Sequence, residues 1–189
     1  MPRPDALTDA EEADLADAVV GLHAEVESAT RHLHVLHASR LQCRSGCASC
    51  CVDELTVFEV EAARIRRHHG LLLAGGEAHP AGACAFLDGA GACRIYADRP
   101  YVCRTQGLPL RWLEEDEPRA DQPAGGEPLG RYELRDICPK NEAGEALEEL
   151  RAADCWTLGP VETRLAALQV ATARPRARTR LRALFTPRG

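Results

Sequence analysis

Four cysteines fall within nine residues in the pattern Cys43-x3-Cys47-x2-Cys50-Cys51, and a chain that carries them must gather or protect them. Each unligated thiol exposed in a cytosolic protein is an oxidation liability. Thiolates suit zinc and iron, and a bound metal holds them deprotonated. Gly46 lets the chain turn tightly between Cys43 and Cys47, so that backbone amides can face the sulfurs. Cys50 and Cys51 are adjacent, and in an extended chain their side chains point to opposite faces. One then serves the local site and the other a second site or a distant ligand set. A buried pair of apolar thiols and a vicinal disulfide are the competing readings. The two cysteines just upstream argue against the first, and a reducing compartment argues against the second.

The remaining cysteines extend the pattern. Asp88-Gly89 marks a tight turn able to bring Cys84 and Cys93 together. Asp98 is expected to cap a short helix opening at Arg99-Pro100, with Cys103 in or near its first turn. That position predicts a lowered thiol pKa. Cys138, before Pro139, can close a set of four. Cys155, beside Trp156, reads instead as a buried apolar cysteine. Arg94, Arg99 and Arg104 flank the second segment. They offset thiolate charge or bind an anionic substrate, or else serve as helix caps or surface ion pairs.

This arrangement resembles the YkgJ-like cysteine-cluster family, whose CxxCxxCC domain is described as zinc- or iron-chelating. The resemblance rests on Cys43-Arg-Ser-Gly-Cys47-Ala-Ser-Cys50-Cys51, then Cys84-Ala-Phe-Leu, Cys93-Arg-Ile-Tyr, Arg99-Pro100 and Cys103-Arg104, with a weaker echo at Cys138-Pro139. It implies metal chelation by Cys43, Cys47, Cys50, Cys51, Cys84, Cys93 and Cys103, with Cys138 added. Most members of that family have no assigned activity, and some relatives are linked to iron–sulfur enzymes that modify protein side chains. The resemblance spans roughly residues 43 to 107 and leaves out the N-terminal helix and the arginine-rich end.

The expected fold is α+β and mainly helical, with a cysteine-rich metal-bound core and a small β-hairpin. The expected division is a long helix over 1–42, the cysteine-cluster domain over 43–140, and C-terminal helices with a basic tail over 141–189. Thr8 with Glu11 forms a capping-box pattern, and Leu15, Val19, Leu22, Val26, Ala29, Leu33 and Leu36 make a heptad seam up to about Gln42. That seam packs within the domain or forms a homodimer; intramolecular packing is favoured because three heptads are few and Ala29 is small. A second helix is predicted from Val57 to His69, capped by Thr56 with Glu59 and stopped by Gly70. Leu108–Leu113 and Arg131–Ile137 pair as strands across a mobile acidic loop over 114–130. Helices over Asn141–Ala153 and from Pro160 towards Ala173 complete the chain, with Pro175 before the basic end.

Composition makes a metal tie useful. The hydrophobic fraction of 45% counts all the cysteines, and aromatics are only 4%. A lean core of this kind gains from metal–thiolate bonds. The net charge of -6 excludes a general polyanion binder. Arg174, Arg176, Arg178, Arg180, Arg182 and Arg188 form a basic end, but Asp5, Asp9, Glu11, Glu12, Asp14 and Asp17 can neutralise it, so nucleic-acid binding ranks last. No signal peptide or membrane span is visible, which predicts a cytoplasmic protein.

Two further signals are set aside. Cys43-x3-Cys47-x2-Cys50 matches the spacing of radical S-adenosylmethionine enzymes, with Gly125-Gly126-Glu127-Pro128 as a mimic of their cofactor motif. Gly125 follows no apolar strand, so the context is missing. His34 and His37 can share a helix face but are read as surface residues. Two classes of function remain. One is a module that chelates zinc or iron for structure, delivery or protein contact. The other is an iron–sulfur enzyme, or an accessory protein in side-chain modification or electron transfer. No acid/base pair decides whether the chain is an enzyme.

Overall fold

The structure is a computed structural model and describes residues 8–44, 46–115, 130–170 and 177–185. Outside them lie Asp5, most of the acidic loop, the Gly125–Pro128 segment, the helix end near Ala173, and Arg174, Arg176 and Arg188.

Helix α1 spans Asp9–Leu36. Its capping box is present: Thr8 Oγ1 accepts from the Glu11 N–H at 3.3 Å, and the Glu11 carboxylate accepts from the Thr8 N–H at 2.8 Å. The predicted seam drifts along the helix. Val19, Leu22, Val26 and Leu33 are buried, but Thr30 and His37 replace Ala29 and Leu36 in the buried stripe. A straight helix turns every 3.6 residues, so a strict seven-residue repeat slides off its face. The stripe packs on the chain's own Val60, Tyr101, Val161 and Leu165.

Strand β1, Thr56–Phe58, leads into helix α2, Glu59–Gly75. The capping box predicted at Thr56 and Glu59 is not formed, because Thr56 pairs in a strand with Arg180. Glu61 takes the role instead, accepting from the Phe58 N–H at 3.3 Å. Gly70 does not stop the helix either. The backbone leaves helical geometry at His69, whose Nε2 lies 2.7 Å from Asp98 Oδ2, and the helix then resumes to Gly75.

A short helix α3, Tyr101–Thr105, follows Pro100. Asp98 does not cap it. Asp98 closes a preceding 3-10 turn and binds Arg64 and His69, while Glu61 Oε1 accepts the first α3 N–H, that of Tyr101, at 2.6 Å. The predicted strand pair forms as β2, Leu110–Glu115, antiparallel to β3, Arg131–Asp136, from Leu110↔Asp136 to Glu115↔Arg131. Strand β4, Trp156–Thr157, adds in parallel to β2. The chain is thus α+β, with more helix than sheet.

The helix expected over Asn141–Ala153 is absent; three 3-10 turns occupy Pro139–Asn141, Leu147–Glu149 and Ala152–Asp154. Side chains from elsewhere hold carbonyls along this segment. Arg40 donates to the carbonyls of Ala143 (2.9 Å) and Glu145, Arg135 to those of Leu147 and Leu150, and His37 Nε2 lies 2.7 Å from that of Asp154. Helix α4, Pro160–Val170, forms as predicted within the described residues. Strand β5, Arg178–Arg180, returns to pair with β1, and Leu181, Leu184 and Phe185 then pack with Cys84, Ala85 and Phe86.

The described arginines of the basic end serve this return. Arg178 stacks 4.1 Å from the Phe58 ring centroid, and Arg180 lies 3.0 Å from Glu54. Arg182 binds Asp53 and the carbonyls of His79, Pro80 and Ala83.

Candidate metal centre

Cys43, Cys47, Cys50, Cys51, Cys84, Cys93, Cys103 and Cys138 line one cavity of about 640 Å³. Cys155, the ninth, is 5% exposed and does not line it. All nine are free thiols. Among the described residues no three His, Cys, Asp or Glu side chains converge as a ready-made metal cage. The sulfurs stand around the cavity.

The eight cysteines come from three stretches of chain, and local bonds shape the first two. Cys47 donates its N–H to the Arg44 carbonyl and Cys51 to that of Ala48, both at 2.9 Å, which coils the first cluster. Gly46 and Gly91 both hold positive φ, at 79° and 76°. An added Cβ on Gly91 would lie 3.5 Å from the Gly46 carbonyl oxygen, so the two turns abut backbone to backbone. The Cys51 carbonyl accepts from the Cys84 N–H at 2.8 Å and ties the first cluster to the second. The Asp88 turn forms as expected: Asp88 Oδ1 accepts from the N–H groups of Ala90 (2.9 Å) and Ala92 (2.8 Å), and Leu87 bridges to Cys93. The sulfurs of Cys84 and Cys93 accept from backbone N–H groups two residues on, at Phe86 and Ile95.

Electrostatics separate the thiols. Burial pushes Cys84, Cys93 and Cys103 up. For Cys103 this overturns the expectation of a lowered value. The five-residue α3 supplies little dipole, its first N–H is already given to Glu61, and neighbouring Cys84 and Cys93 add repulsion. The Cys51 thiol donates to Cys50, which draws Cys50 down to about 6 and pushes Cys51 up. A divalent cation reverses this balance, because it favours every thiolate at once. The donor set therefore fits a thiophilic metal, and the amides aimed at Cys84 and Cys93 favour the thiolate form.

The flanking arginines divide between roles. Arg94 donates to the Ala85 carbonyl at 2.7 Å and lies 5.3 Å from the Phe185 ring centroid, holding the turn. Arg99 and Arg104 line the cavity but both reach Glu27 on α1. Arg104 also donates to the Ala97 carbonyl at 2.9 Å. His34 lines the cavity, whereas His37 is buried against Asp154, so the two do not share a site.

Sequence reasoning missed four contributors. Gly107 has φ of 95°, and a Cβ there would lie 2.6 Å from Cys43 Sγ. Asn141, expected only to begin a helix, donates to that sulfur from 3.5 Å. Leu181 arrives from the C-terminal return to line the cavity. Lys140, with Arg44, borders an adjoining pocket of about 360 Å³ at Cys47. None has a local motif; each acts on a partner distant in the chain.

Residues 42–121 match the CxxCxxCC family model, described as a "putative zinc- or iron-chelating domain". This is the family that the cysteine spacing resembles. The matched segment carries seven of the eight cavity cysteines and leaves Cys138 outside. No curated protein and no solved structure matches the chain. Among the described residues, no helix is long and apolar enough to cross a membrane.

Proposed function

From the match of residues 42–121 to a zinc- or iron-chelating domain, we propose that this protein binds zinc or iron through its cavity thiols in a reducing, cytoplasmic setting. The ligands are drawn from Cys43, Cys47, Cys50, Cys51, Cys84, Cys93, Cys103 and Cys138, with Cys155 outside the set. One observation carries this reading: eight of nine cysteines, spread over 96 residues of chain, face a single cavity. Core packing alone has no reason to select them.

The metal supplies the charge that keeps the cavity thiolates ionised, and binding draws the sulfurs inward from their positions around the cavity. One tetrahedral zinc or one cubane takes about four cysteines. Eight thiols therefore favour two sites. That surplus also favours a second reading, an iron–sulfur accessory or enzyme in side-chain modification or electron transfer.

Anaerobic purification followed by assay of iron, zinc and acid-labile sulfide, with a visible spectrum, tests both. Colourless protein with one or two zincs per chain supports the chelating module. Brown protein with matched iron and sulfide supports the iron–sulfur reading. Protein that retains neither metal after reconstitution under reducing conditions sinks both.

A further inference from the structure

Asn141 has no exposed surface, and a buried primary amide must find partners for its oxygen and both N–H bonds. Its Oδ1 accepts from the Gln42 backbone N–H at 2.8 Å. Its Nδ2 donates to the Gly107 carbonyl at 2.8 Å. Together these contacts fix which way the amide faces, since reversing it would set N–H against N–H and oxygen against oxygen. The second Nδ2 hydrogen meets the sulfur of Cys43 at 3.5 Å. Space for that contact exists because residue 107 is glycine: a Cβ there would lie 2.6 Å from Cys43 Sγ and 3.2 Å from Asn141 Nδ2. Asn141 also ends the 3-10 turn after Cys138, donating its own N–H to the Cys138 carbonyl at 2.7 Å. One side chain thus joins the first cavity cysteine to the segment that carries the last.

We propose that Asn141 is the positioning residue of Cys43, donating to its sulfur, holding it at the cavity wall and strengthening it as a metal ligand. The proposal rests on the metal-binding reading above. It adds a residue outside the matched segment, and so one that the family model does not assign. Groups that orient a ligand by a hydrogen bond in this way typically set metal affinity by about 10–100-fold. A side chain that merely stapled Gln42 to Gly107 would change stability without acting through Cys43.

The test is a double-mutant cycle on the full chain, reduced and anaerobic, with Co²⁺ as the probe and a competing chelator as the reference. Asn141→Ala and Asn141→Asp are each made in the parent and in the Cys43→Ala background. Asn141→Asp keeps an acceptor for the Gln42 N–H and removes the donor to sulfur. The expected result is roughly tenfold weaker Co²⁺ binding for both variants, a shifted thiolate-to-cobalt charge-transfer band, and no added loss once Cys43 is alanine. Unchanged affinity, or an equal loss in both backgrounds, overturns the role of Asn141 and leaves metal binding standing. A parent protein that binds no Co²⁺ overturns the metal-binding reading, and this one with it. The parent protein also offers a check that needs no variant to fold. Loaded with ¹¹³Cd and labelled with ¹⁵N, it is expected to show cadmium coupling on the Asn141 side-chain amide protons; cadmium-bound protein without that coupling overturns the proposal.

Discussion

Cys84 and Cys155 are almost equally hidden, at 6% and 5% exposure, yet their surroundings differ. Cys84 lines the cavity and accepts an N–H from Phe86 at its sulfur; Cys155 lies off it beside β4. Two substitutions separate these situations. Cys47→Ser is expected to abolish metal retention and lower solubility, read as metal per chain; normal stoichiometry and melting in that variant count against its place in the ligand set. Cys155→Ser is expected to keep full metal content while losing about 1–3 kcal/mol of stability by burying a hydroxyl in place of a thiol. Loss of metal there would move Cys155 into the ligand set. Cys43 to Cys51 were legible because their spacing is dense and local, and the more scattered Cys84, Cys93, Cys103 and Cys138 because they continue the pattern that the family resemblance carries. Asn141 and Gly107 were not, because the first reaches Cys43 across 98 residues and the second matters only for the side chain it lacks.

Elements were legible where a local pattern had no competitor. The α1 cap depends on neighbouring residues and formed as predicted; the β2–β3 pair also formed, with β2 running on into Glu114 and Glu115 of the expected loop. The expected cap of α2 lost to strand pairing, and carbonyls of the expected helix after Asn141 went to Arg40 and Arg135. Glu61 joins several elements at once: its carboxylate contacts His23 on α1 at 2.9 Å and accepts from Phe58 and Tyr101. Glu61→Ala is expected to cost about 3 kcal/mol in urea unfolding, since it strands buried donors on three sides. A loss under 1 kcal/mol, of the order of an exposed ion pair, would contradict that role. Asp98 joins α2 to the turn before α3. Burial raises its pKa, but the His69 hydrogen bond and the charges of Arg64, His69 and His68 outweigh this and hold it below the ordinary aspartate value. A carboxyl lowered in the folded state adds stability above its unfolded pKa and loses it as pH falls through the folded one. Asp98→Asn is therefore expected to weaken the protein at neutral pH and flatten its acid limb below about pH 4. Parallel acid-unfolding curves for variant and parent would contradict it.

At the scale of the molecule, the hydrophobic core and the cavity share walls. Cys84, Phe86, Leu87, Ile95 and Leu181 belong to both. Stability and metal content are therefore coupled. Stripping the metal with a chelator is expected to remove up to about 4 kcal/mol of stability where free metal stood a thousandfold above its dissociation constant, read as a fall in melting temperature that readdition reverses. A melting curve indifferent to chelator and metal would separate the core from the site. How the C-terminal return closes this core was not legible, because nothing in Arg178–Phe185 announces that its partners are Thr56–Phe58 and Phe86.

That return gives the protein a schedule during its synthesis. Phe86 packs against Phe185, with tilted rings whose centroids lie 5.0 Å apart, and Leu181 lines the cavity, so Cys43 to Cys103 leave the ribosome long before this last part of their surroundings does. At typical elongation rates the intervening stretch takes roughly 5–20 s to translate. Throughout that interval Cys43 to Cys103 lack Leu181, the residue by which the C-terminal return completes their cavity.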